Sequence, residues 1–156
     1  MPYLFRNNFF DYGFAMTREP IARAISEYRF RAGRRYSRGQ RIPAFPAWWV
    51  RTRRAYDKNP FVLDNHIRPQ VEFLCQSLAK KFDVFRFEDG VISNVEKVFR
   101  ELDVSHVDLG IHTHRATDMP IDIDEATFDS LTSFYSEDIA QFGYDKDEMK
   151  TRYLGN

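Results

Sequence analysis

The chain has 156 residues, 43% hydrophobic and 16% aromatic, a composition that excludes disordered and collagen-like chains and suits one packed globular domain. No stretch approaches the roughly 20 apolar residues of a membrane span, and a single cysteine, Cys75, excludes an internal disulfide framework and fits a reducing compartment such as the cytoplasm. The net charge of zero conceals a segregation: Arg18 to Arg54 carry eleven arginines, no lysine and two acids, whereas Glu101 to Asn156 carry thirteen acids against four basic residues. The arginine block either attracts an anion or forms solvated faces that pair with the acidic block. Arginine in place of lysine favours bidentate contact with phosphate or sulfate.

Residues 1–10 are aromatic and weakly patterned, an edge segment or a loop. The apolar run Phe14-Ala15-Met16 is too short for a helix and reads as a buried strand at about residues 12–17. Thr17-Arg18-Glu19 then leads into Pro20, which suits a first helical turn. A helix at about residues 20–32 buries Ile21, Ile25, Tyr28 and Ala32 and turns Glu19, Arg23, Ser26 and Phe30 to its other side. Arg18 thus sits where strand becomes helix, with the Ser26 hydroxyl two turns along. On spacing alone two readings stand: the pair forms a fork plus a donor for a phosphate, or Arg18 merely pairs with Glu19 or Asp11.

Gly33 to Pro43 reads as a basic loop. Phe45 to Asp57 restarts a helix with Pro46 in its first turn and Trp48 and Trp49 in the core, ended by Asn59-Pro60. A further helix, entered through Asp64-Asn65 with Pro69 in its first turn, is expected to run to about Lys80 on Ile67, Val71, Leu74, Cys75 and Leu78, which makes Cys75 a core residue and leaves His66 at the entrance, making a polar contact to a neighbouring loop. Asp83 to Phe87 reads as a second strand, followed by a helix at about residues 91–102 that Glu88 or Asp89 caps. Two strands, each followed by a helix, imply parallel pairing and an α/β fold. His112 and His114 alternate without a third patterned ligand, so no metal site is expected. The last helix, about residues 125–141, takes Asp122 or Asp124 as cap and stops at Gly143.

The stretch Arg18-Glu19-Pro20-Ile21-Ala22-Arg23-Ala24-Ile25-Ser26-Glu27-Tyr28 resembles the R-(D/E)-P-x-x-R-x-x-S-x-Y signature of sulfotransferases that use 3′-phosphoadenosine 5′-phosphosulfate. Asp64-Asn65-His66-Ile67-Arg68-Pro69-Gln70, then Cys75, then Phe82 to Asp89, resemble in order the middle of the carbohydrate sulfotransferases, and Tyr135 to Tyr144 resembles their last helix. The resemblance implies that Arg18 and Ser26 hold the 3′-phosphate of the nucleotide. It also implies that Arg115, in the loop before the last helix, adds a basic contact, and that the acceptor is a hydroxylated carbohydrate, which the arginine block would suit if it is anionic. The arginine block carries no recognised nucleic-acid motif. Arg23 is expected to brace the strand ends through Glu19 or Glu88 rather than to join the phosphate.

The resemblance further implies a helix-rich nucleoside-triphosphate-hydrolase-like fold in a single domain over residues 1–156. That family's first strand and phosphate-binding loop have no counterpart in the ten residues before Asp11, so the chain is expected to be an incomplete carboxyl-terminal portion with no assignable catalytic base. On that expectation it transfers sulfuryl groups slowly or not at all, associates through an uncovered strand edge, and comes from the Golgi lumen if it is a fragment of a membrane-anchored enzyme. The alternative function is a catalytically inactive module that retains nucleotide or partner binding.

Overall fold

The computed structural model describes residues 6–105 and 119–155. The chain divides into two compact units, Met1–Glu19 with Gln70–His112, and Pro20–Pro69 with Thr113–Asn156.

The first unit holds a two-stranded parallel sheet of β1 (Phe10–Thr17) and β2 (Ala79–Arg86), paired from Phe10↔Ala79 to Thr17↔Arg86, and the helix α3 (Val91–Glu101). Parallel pairing is as expected for an α/β chain. The strands are longer than the sequence suggested, and β1 is not the buried strand expected: Phe10 and Phe14 are exposed, and only Thr17 at its end is fully covered. Cross-strand contacts hold the pair instead. Tyr12 donates to Asp83 Oδ2 at 2.9 Å, Lys80 meets Asp11 at 2.6 Å, and Phe14 leans on Phe85. Burial, reinforced by Asp83, pushes the Tyr12 phenol up to about 12. Gly13 leaves room for the Phe82 ring: a Cβ at that position would lie 2.8 Å from it and would force the ring to shift.

The second unit contains α1 (Pro20–Tyr36), α2 (Phe45–Lys58), α4 (Glu125–Phe134), α5 (Ser136–Gln141) and α6 (Lys146–Leu154). Its core is aromatic. Trp49 is fully buried against Phe134 and Tyr135, and its indole N–H donates to Ser130 at 3.0 Å. Tyr28 meets Phe45 edge-on and donates to the Pro43 carbonyl at 2.7 Å. Such rings combine large buried area with a satisfied polar edge.

Helix α1 passes through Gly33 and ends only at Tyr36. Glycine costs about 1 kcal/mol in a helix interior, whereas Ala32 is buried and Arg34 and Arg35 in the last turn suit the negative end of the helix dipole. The helix expected over residues 64–80 does not form. Three short 3-10 turns (Val62–Asn65, Gln70–Phe73 and Gln76–Leu78) take its place, with positive φ at Leu63, Asp64 and Asn65, before β2 begins at Ala79. Cys75 is therefore exposed, not a core residue. The expected last helix breaks at Tyr135 into α4 and α5. Asp124 caps α4 by accepting from the Thr127 N–H at 2.7 Å, and Gly143 stops α5 at φ +66°. Among the described residues no helix is long and apolar enough to cross a membrane.

The exposed position of Cys75 predicts that the native protein reacts with a thiol reagent at a rate close to that of a free cysteine peptide. Protection until denaturant is added would return Cys75 to the interior.

Candidate functional site at the strand ends

Parallel strands bring their carboxyl ends to one side of the sheet, the usual position for ligands in α/β folds. Thr17 and Arg86 pair at that end, and the next residues, Arg18 and Phe87, come together: the Arg18 guanidinium lies 4.9 Å from the centre of the Phe87 ring. Phe87 keeps 42% of its surface exposed, so the stack faces outward. The backbone beneath is fully engaged. Gln70 accepts from the Arg18 N–H at 2.9 Å and donates to the Arg18 carbonyl at 2.8 Å. Glu88 Oε1 accepts from the Glu19 N–H at 2.7 Å, and Thr17 Oγ1 reaches the Phe85 carbonyl at 3.3 Å.

Neither carboxylate proposed as a partner for Arg18 takes it: Asp11 pairs with Lys80, and Glu19 is buried. Among the described residues the Arg18 guanidinium is in no ion pair. A planar fork with one face on an aromatic ring and its N–H edges open suits the oxygens of an anion. Glu88 does not cap α3 as expected, nor does Asp89. Gly90 holds the N-cap position with no side-chain hydrogen bond, and Glu88 serves the Glu19 peptide instead.

In the second unit Ser26 lies half-buried in the second turn of α1. One turn earlier Arg23 points inward and donates to the Arg68 carbonyl at 2.6 Å and the Asn65 carbonyl at 3.3 Å. Burial pulls this guanidinium below its ordinary value, and the fields of Tyr135, Asp138 and Glu27 oppose that pull. Arg23 therefore braces, but not the strand ends through Glu19 or Glu88 as expected: it holds the backbone carbonyls of Asn65 and Arg68. Tyr135 donates to the Ile67 carbonyl at 2.8 Å, and its own hydroxyl is pushed far up by burial. His66 Nδ1 lies 3.0 Å from Glu27 Oε2, so its polar contact is to α1 rather than to a loop. Glu27 also accepts from Arg31 Nε at 2.6 Å. Residues 65–68 are thereby fastened at every position by α1 or Tyr135.

The remaining expected contact, Arg115, lies outside the described residues, as do His112 and His114. Among the described residues no group of three or more potential metal ligands occurs. Sequence reasoning passed over Gln70 and Glu27. Gln70 was visible as the last residue of the quoted Asp64–Gln70 stretch, and Glu27 as a carboxylate spaced four residues from both Arg23 and Arg31.

The sulfotransferase family model matches residues 4–145. The chain belongs to the sulfotransferase family. The matched span contains β1, the Arg18–Tyr28 stretch, the fastened loop and β2. Membership assigns the chain to a family of transferases acting on sulfuryl groups. Comparison with curated proteins and with solved structures gives no match.

Arg23→Ala removes a charged donor from two part-buried carbonyls and should cost about 2–3 kcal/mol by thermal or denaturant unfolding. Arg23→Lys should recover less than half of the loss, because a single ammonium cannot reproduce the fork. A loss below about 0.5 kcal/mol for Arg23→Ala would show that the brace contributes little to stability.

Proposed function

We propose that the protein takes 3′-phosphoadenosine 5′-phosphosulfate as donor and transfers its sulfuryl group to a hydroxyl of an anionic carbohydrate. The observation that carries this reading is the Arg18 fork: backbone pinned, one face on Phe87 and, among the described residues, no carboxylate spending its charge. Arg18 takes the 3′-phosphate, with the Ser26 hydroxyl and Arg115 as further contacts on the strength of the sequence motif. In the reaction the acceptor oxygen bonds to sulfur as the bond from sulfur to the 5′-phosphate oxygen breaks. Adenosine 3′,5′-bisphosphate leaves, and the acceptor proton passes to a base that we do not assign to a residue. Positioning and cationic contacts lower such a barrier, as in phosphoryl transfer.

Support for an anionic acceptor comes from the second unit. Arg34 and Arg35 in the last turn of α1, and Arg38 and Arg41 after it, are exposed. Their field concentrates polyanions and weakens with salt.

Calorimetry with adenosine 3′,5′-bisphosphate tests the donor site. A charge-assisted contact contributes about 1.5–3 kcal/mol, so Arg18→Ala should weaken binding about 10- to 150-fold. Ser26→Ala, which removes a neutral hydroxyl, should cost about fivefold. Equal affinities for the unaltered protein and Arg18→Ala would remove the assignment. A donor labelled in its sulfuryl group then separates a transferase from a module that only binds the nucleotide.

A further inference from the structure

The ladder between β1 and β2 ends at Thr17↔Arg86. Past that point Arg18 has a backbone donor and acceptor and, among the described residues, no strand residue paired with it, and unmet groups of this kind cost free energy when covered. The carboxamide of Gln70, 52 positions away in sequence, answers both: it accepts from the Arg18 N–H at 2.9 Å and donates to the Arg18 carbonyl at 2.8 Å. A primary amide offers the same donor and acceptor pair as a peptide, so Gln70 meets Arg18 with a side chain as a strand residue would with its backbone. A glutamate or a methionine cannot do both.

We infer that Gln70 is the positioning residue for Arg18: it holds the backbone of the phosphate contact so that the guanidinium remains on Phe87 with its N–H edges open. The inference rests on the proposed reading of Arg18 as the 3′-phosphate contact. Three constraints converge on residues 18 and 19, namely Gln70 on both sides of Arg18, Glu88 on the Glu19 N–H, and Phe87 under the guanidinium. Of these, Gln70 is the one that meets both the N–H and the carbonyl of Arg18, while Glu88 holds the N–H on the far side of the Arg18–Glu19 peptide. A binding group is effective when its neighbours lock it within a fraction of an ångström of the productive geometry. Without Gln70 the Arg18 N–H and carbonyl lose their partner, Glu88 is left holding only the far side of the Arg18–Glu19 peptide, and the guanidinium samples positions away from the ring.

The test compares adenosine 3′,5′-bisphosphate with adenosine 5′-monophosphate, because the ratio of the two dissociation constants reports the 3′-phosphate alone. Gln70→Met keeps the length and removes both hydrogen bonds. It should lower the ratio about fivefold, the equivalent of one contact, and leave 5′-monophosphate affinity unchanged. In an Arg18→Ala background the same change should have no further effect on the ratio. Hydrogen exchange at the Arg18 amide should accelerate in Gln70→Met with or without nucleotide. In the unaltered protein that amide should be protected, and more so with bisphosphate than with monophosphate. A ratio that falls in Arg18→Ala and stays intact in Gln70→Met would overturn the positioning role and leave the phosphate reading standing. A ratio unaffected by Arg18→Ala would sink both. If Gln70→Met does not fold, the exchange measurement on the unaltered protein decides: an Arg18 amide that exchanges freely, or is equally protected by both nucleotides, rejects the inference.

Discussion

An arginine serves as an anion contact only if its backbone is held without spending its own charge. At the end of β1 the holding is done by one carboxamide. Gln70 meets both sides of the Arg18 peptide, Glu88 takes the next N–H, and the guanidinium is left to lie on Phe87. The alternative use of Arg18, a surface ion pair, would be worth at most about 1 kcal/mol and does not form among the described residues. Local stability comes from backbone hydrogen bonds and ring stacking, and the charge stays available for a ligand.

The second unit follows a similar logic with opposite burial. Arg23 is covered, so its charge has to be met inside, and the carbonyls of Asn65 and Arg68 meet it. Just before and at the first of those carbonyls, Leu63, Asp64 and Asn65 adopt positive φ, a conformation that costs free energy and persists only where surroundings over-determine it. Tyr135 and Glu27 supply the rest of that determination by holding Ile67 and His66. One face of α1 thus orders a loop that has no regular hydrogen-bond pattern of its own.

Elements with strong local signals were legible in the sequence. Pro20 and Pro46 marked two helix starts, Asp124 marked a third, and the aromatic run ending at Phe87 marked β2. Residues 62–78 were not, because Ile67, Val71, Leu74 and Leu78 imitate helical spacing, whereas contacts from side chains distant in sequence fix the backbone otherwise. The same limit hid the polar interior. Glu19, Glu27, Asn94 and Asp138 are buried, and hydrophobic periodicity assigns such residues to the outside. At the strand end, Arg18 was singled out by a family motif and by strand-to-helix spacing. The contacts of Phe87 and Gln70 were not legible, since neither a stacking partner nor a peptide clamp announces itself by spacing.

Phosphorus NMR of adenosine 3′,5′-bisphosphate titrated with the protein observes the proposed contact directly, because the two phosphates resonate separately. The account predicts that the 3′-phosphorus signal shifts on binding and that Arg18→Ala abolishes this shift while any movement of the 5′ signal remains. A 3′ signal that does not move, or that moves equally with Arg18→Ala, would contradict it.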